Sequence, residues 1–132
     1  MPFDESHAAG IELIVVTDDD AHARRLIEAL RTGRHLYTIT TIAARDALHP
    51  SFDAAIEAAR GKRPVIAFLD CASLGEEAEV LAARVLGLQA TMAIECVATR
   101  PPSDLRRRGN LRALGASVYE EPAPAAEIIP LH

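Results

Sequence analysis

A chain of 132 residues with a hydrophobic fraction of 49% is about one domain's worth and carries ample apolar material for a core. Its net charge of −5, its lack of Trp and its 4% aromatic content argue against a general grip on nucleic acid or anionic membrane, and against a stacking platform for single strands. No apolar run reaches the length of a membrane span, and the start, MPFDESHAAG, has neither the basic head nor the apolar core of a signal peptide; the sequence reads as a cytoplasmic protein.

Residues 1–10 read as a flexible lead-in, and 11–132 as one domain. A strand over about 11–17 stops at three carboxylates, Asp18, Asp19 and Asp20. Asp19 or Asp20 can cap a helix whose apolar face is Ala23, Leu26, Ile27 and Leu30, ended by Gly33. Residues 35–42, HLYTITTI, are rich in Thr, Ile and Tyr and predict a second strand. A polar connection containing Pro50 leads to a short helix over 52–60. The third strand, 64–70, is PVIAFLD; it again ends in an acid, Asp70. A helix over 74–86 carries Leu74, Ala78, Leu81, Ala82 and Val85 on one face and ends at Gly87. A fourth strand over 89–98 includes Glu95 as its one awkward member. Pro101, Pro102 and Ser103 start a further helix, with Ser103 as N-cap, which Gly115 stops. Residues 116–119 form a short fifth strand, and APAAEIIPLH after Pro122 suffices for about one helical turn. Alternating strands and helices predict a parallel sheet covered by helices on both faces. The fifth helix of a regular repeat is short or missing, which suggests a chain cut from a longer protein or a partner covering that edge.

The two acidic strand ends carry the functional reading. In an open α/β sheet, ligands bind at the carboxyl ends of the strands. Clustered carboxylates there repel one another unless a cation offsets them. The bland alternative is that 18–20 is a solvated helix start with a good cap.

These residues resemble the response-regulator receiver domain, the phospho-acceptor module of two-component signalling. Four features spanning nearly the whole chain carry the resemblance: IVVTDDDAHARRLIEAL, with an acidic pair and an Arg in the first helix; VIAFLD; the hydroxyl of Thr99 at the end of strand four; and LRALGASVYEEP. By the distance to Arg24 the acidic pair maps to Asp18 and Asp19. The resemblance implies a flavodoxin-like (CheY-like) three-layer sandwich, with a five-stranded parallel sheet in the order 2-1-3-4-5. It implies Mg2+ held by Asp18, Asp19 and Asp70, Asp70 as phospho-acceptor and Thr99 as switch hydroxyl. The partners implied are a histidine kinase, a phosphotransfer protein or an output domain, and a dimer is possible. Catalysis would extend at most to Mg2+-dependent self-phosphorylation at Asp70.

Several departures point to an atypical or pseudo-receiver. The family's lysine is absent: aligned on Pro122 its slot holds Glu121, and aligned on Gly115 and Tyr119 it holds Pro122 itself. A glutamate is the wrong sign for a phosphoryl contact. Asp70 and Thr99 are 29 positions apart, and Arg100 is the next candidate for the switch position. The loop CASLGEEAEVL lacks the usual Met-Pro and Gly pattern, and the connection between strands two and three is longer than normal.

The remaining candidates have ordinary explanations beside sharper ones. Cys71 and Cys96 form no disulfide framework or zinc site and read as inert thiols, with a redox pair as the alternative. The five histidines show no pair at metal-ligand spacing. Glu95 pairs with an Arg or marks a partly exposed strand. Arg106, Arg107 and Arg108 form a solvated face or a partner contact. Three functions follow: a signalling module acting by protein contact with phospho-switching weakened or lost; a competent receiver phosphorylated on Asp70; or a flavodoxin-like small enzyme or cofactor binder. The last has no phosphate-cradling glycine loop or nucleophile elbow to support it.

Overall fold

The computed structural model describes residues 10–31, 36–46, 50–59 and 64–119. In chain order the elements are β1 (Gly10–Val16), α1 (Asp20–Arg31), β2 (Leu36–Ile42), α2 (Pro50–Ala59), β3 (Val65–Asp70), α3 (Cys71–Leu74), α4 (Glu77–Leu86), β4 (Ile94–Thr99), α5 (Leu105–Leu114) and β5 (Ser117–Tyr119). All strand pairs are parallel, and the sheet order is β2-β1-β3-β4-β5. This is the flavodoxin-like topology expected from the sequence. The short fifth helix expected after Pro122 lies outside the described residues, as does the lead-in over 1–9.

Period-two alternation divides the core between the two faces of the sheet. Ile14, Val16, Val65, Ala67 and Leu69 point one way and meet Phe52 and Ile56 of α2, Leu81 and Val85 of α4, and Leu111 of α5. Leu13, Val15, Ile66, Phe68 and Val97 point the other way, onto Ala23 and Leu26 of α1. Every residue of β3 is buried, as a central strand covered on both faces requires.

The structure differs from the sequence reading at four element boundaries. Pro50 is the first residue of α2 rather than part of the connection; a fixed φ and a missing N–H suit that position. The helix expected over 74–86 is two pieces, because Asp70 caps a first turn at Cys71–Leu74 and Gly75, at φ 61, breaks it before Glu77. The strand expected from Gln89 begins at Ile94. The Thr91 and Met92 N–H groups donate instead to the Leu88 carbonyl, at 2.9 and 3.1 Å, and the Gln89 side chain caps Ile94 O at 3.0 Å. Asp104, not Ser103, is the N-cap of α5, its carboxylate accepting from Arg106 N at 2.9 Å. Gly115 ends that helix in the left-handed conformation, as expected. Glu95 is exposed on β4, so burial makes no demand on it.

Candidate functional site

Strands β1, β3 and β4 end side by side, and each ends in a polar group. Val16 is registered with Leu69, and Asp70 with Thr99, so Thr17, Asp70 and Thr99 lie across one edge of the sheet. Among the described residues the buried polar or charged side chains are Thr17, His22, Asp70 and Thr99. All four meet at this edge. Polar groups are buried when something pairs them, and here they pair largely with one another.

Asp70 is 1% exposed, and five donors converge on its two oxygens. Oδ1 accepts from Ala72 N at 3.2 Å and from Arg100 Nε at 2.8 Å. Oδ2 accepts from the Thr17 hydroxyl at 2.6 Å, the Ser73 hydroxyl at 2.8 Å and Arg100 Nη2. The guanidinium thus grips the carboxylate side-on with two nitrogens, the strongest geometry available to the pair. Its third nitrogen, Nη1, donates to Asp19 Oδ2 at 2.9 Å. Arg100 directly follows β4 and sits at φ 46, a conformation that residues other than glycine seldom adopt. That turn of the backbone belongs to the residue that spans the two acids.

Burial pushes the Asp70 carboxyl up, but hydrogen bonds from Arg100, Thr17 and Ser73 overcome it and hold the group down at about 2. The two carboxylates in turn raise the Arg100 guanidinium above its ordinary value, Asp70 most strongly. Asp19 is held below its usual range, first by the His22 backbone N–H and, after the opposing effect of burial, by Arg100.

The three expected magnesium ligands are not directed at one point. Asp19 caps α1 through Oδ1, accepting from Ala21 N at 3.0 Å and His22 N at 3.1 Å, and faces Arg100 through Oδ2. Asp18 turns toward the end of β2, where Oδ1 accepts from Ala44 N at 2.8 Å. Asp20 is exposed in the first turn of α1. Among the described residues no three His, Cys, Asp or Glu side chains are grouped so as to hold a metal ion. A divalent cation does not fit the site as arranged, because the oxygens of Asp19 and Asp70 that would face it already face a guanidinium.

Thr99, the expected switch hydroxyl, lies at the strand end beside Asp70, with its Oγ1 3.0 Å from His22 Nε2. Glu121 lies outside the described residues. Arg107, from the basic run, pairs with Glu79 of α4 at 2.9 Å and donates to Gly75 O at 2.8 Å; Arg108 donates to Pro102 O at 2.6 Å; Arg106 is exposed. Cys71 and Cys96 are buried free thiols. The sequence reading did not assign Thr17, Ser73 or His22 to the site, and it considered Arg100 only as an alternative for the switch position. Thr17 and Arg100 each lie one step beyond an apolar strand, and Ser73 one helical turn past Asp70, so their placement was the available signal.

No family model matches the chain, and neither does any curated protein. Solved structures share its fold, among them these two. One is a chain of the co-crystal structure of the Saccharomyces cerevisiae histidine phosphotransfer protein Ypd1 with the receiver domain of its downstream response regulator Ssk1. It has a TM-score of 0.59 at 12% identity, with 91% of this chain and 84% of that chain covered. The other is the signal receiver domain of a putative Luxo repressor protein from Vibrio parahaemolyticus, with a TM-score of 0.57 at 20% identity, covering 89% and 82%. With its all-parallel sheet in the order 2-1-3-4-5, the chain has the fold of the response-regulator receiver domains.

Proposed function

We propose that the protein is a receiver-like signalling module that works by protein–protein contact, with phosphorylation of Asp70 weakened or lost. The observation that carries this reading is the saturation of the Asp70 carboxylate by five donors. A nucleophilic carboxylate needs an oxygen lone pair free to approach phosphorus in line, and a cation to neutralise the incoming charge. Here the cation is Arg100, bonded to the nucleophile itself. A carboxylate so stabilised is a weak nucleophile, for the same reason that its protonation is held down to about 2. The sequence supports the reading independently, since Glu121 or Pro122 stands where the family has its lysine.

The partners of such a module are proteins: a phosphotransfer protein or kinase, or an output domain. The Ssk1 receiver is recorded with a histidine phosphotransfer protein, and that class of partner suits this fold. Exposed Leu105 and Arg106 at the start of α5 give a contact surface of mixed apolar and basic character. We place the protein in the cytoplasm; among the described residues no helix is long and apolar enough to cross a membrane.

The test is beryllofluoride binding in the presence of Mg2+, followed by amide NMR on wild type and Asp70→Asn. The expected result is no saturable shift at Asp70 in the wild type. Saturable shifts around Asp70 that vanish in Asp70→Asn would establish a competent receiver and overturn the proposal.

A further inference from the structure

We propose that Arg100 is a tethered cation that takes the place of a divalent metal between Asp19 and Asp70, and that its withdrawal exposes a latent divalent site. Three observations carry this. First, the guanidinium meets both carboxylates at once, with Nη1 on Asp19 at 2.9 Å and Nε and Nη2 on Asp70. It performs the electrostatic task of a bridging ion, holding together two acids that would otherwise repel. Second, Arg100 adopts φ 46, where a side chain is strained and a glycine is not; a residue kept in that conformation is held there by the contacts its side chain makes. Third, the oxygens that Arg100 engages are the hard ligands a small divalent cation takes, and such a cation needs only one or two carboxylates because it keeps several waters.

The consequence is competition. With Arg100 in place the acid pair is already neutralised, and a divalent ion must displace a bonded guanidinium to enter. With the side chain removed, Asp19 Oδ2 and both oxygens of Asp70 lose that neutralising partner. The inference rests on the reading that Arg100 holds Asp70 in the resting protein.

Arg100→Gly is the informative variant, because glycine accepts the local backbone without strain, so that the loss of the guanidinium leaves the acid pair without its cation and adds no backbone strain. Titration with Mn2+ alone, without any phosphoryl analogue, should show saturable binding to Arg100→Gly that is tighter than to wild type by about tenfold or more, equivalent to about 1.4 kcal/mol. The thermal midpoint of Arg100→Gly should rise with Mg2+ and fall with chelator, while that of wild type should not move. The double variant Arg100→Gly, Asp70→Asn should lose the gain. Equal binding by wild type and Arg100→Gly, or a folded Arg100→Gly that does not bind Mn2+, would overturn the inference. Neither outcome touches the proposal of lost phospho-switching, which beryllofluoride binding to the wild type decides.

Discussion

Thr99 Oγ1 lies 3.0 Å from Nε2 of His22, joining the end of β4 to the first turn of α1. His22 is fully buried and Thr99 nearly so. The Thr99 hydroxyl, expected from the sequence to be the switch group, is therefore engaged with α1, on the face of the sheet where Ala23 and Leu26 pack. The next residue, Arg100, turns back onto Asp70 and Asp19. Two consecutive residues thus fasten β4 to α1 and to the acid pocket, and a rearrangement of either contact strains the other.

Replacing Thr99 with Val keeps the side-chain shape and removes the hydroxyl, leaving His22 Nε2 against a methyl group. The expected loss is about 1–2 kcal/mol, the cost of taking a partner from a buried polar atom. Urea unfolding should show a lower midpoint with an unchanged slope. An unchanged midpoint would mean that the Thr99–His22 contact contributes nothing to stability.

Acid stability should report Asp70. Its folded pKa, about 2, lies below the ordinary value of 3.8. The stabilisation from a depressed carboxyl is fully present above the unfolded value, and it is lost as pH falls through the folded one. The window is therefore pH 4 down to pH 2, and the loss across it is about 2 kcal/mol for this group. Asp70→Asn should be flatter than wild type over that window in urea midpoint against pH. Parallel curves for the two proteins would show that Asp70 is not the group responsible.

The alternation of strands and helices and the two acidic strand ends were legible in the sequence because each rests on local pattern, whereas the sheet order followed only from the resemblance to the receiver domains. Pro64–Asp70 reads as a buried strand wherever it is placed. The boundaries that shifted were decided by hydrogen bonds with no strong sequence signature: the Leu88 carbonyl taking the Thr91 and Met92 donors, and the Asp70 cap that starts a helical turn before Gly75. The site was legible as a set of acids but not as an arrangement. The sequence places Asp18, Asp19 and Asp20 together. It does not say that Asp18 turns to Ala44, that Asp19 spends one oxygen capping α1, or that Arg100, 81 positions from Asp19, closes the pocket. A cation was expected there, and the one that arrives comes from the chain itself through a left-handed backbone turn that only the fold determines.

The two thiols should be unreactive in the native state. Burial pushes Cys71 up to about 11, with the Asp70 charge adding to it, and pushes Cys96 up to about 12. Against the ordinary value of 9.0 for a thiol, Cys71 has about a hundredfold less thiolate at neutral pH. A disulfide-exchange reagent should modify both cysteines only as fast as the protein unfolds. Rapid modification of either thiol in folded protein would mean that its strand or helix opens readily, and would revive the reading of a redox pair.

Helix α5 should be the least securely held of the packed elements, and Leu111 is its anchor. It is the one side chain of α5 that is fully buried, while Leu105 is 79% exposed and Leu114 40%. Beyond Leu111, α5 is tied to its neighbour by the Arg107 contacts with Glu79 and Gly75 and by Asn110 donating to Glu79 at 3.2 Å. Leu111→Ala should cost about 3 kcal/mol, the usual loss for a buried leucine truncated in a packed site. Leu105→Ala should stay within about 0.5 kcal/mol, as an exposed position does. Hydrogen exchange should distinguish a local from a global effect. In Leu111→Ala, the amides of 105–114 should lose protection well before those of β1 and β3, because the central strands keep both covered faces. Uniform loss across helix and strands would mean that α5 unfolds only with the core, and its outer surface could not then be a separately movable face for a protein partner.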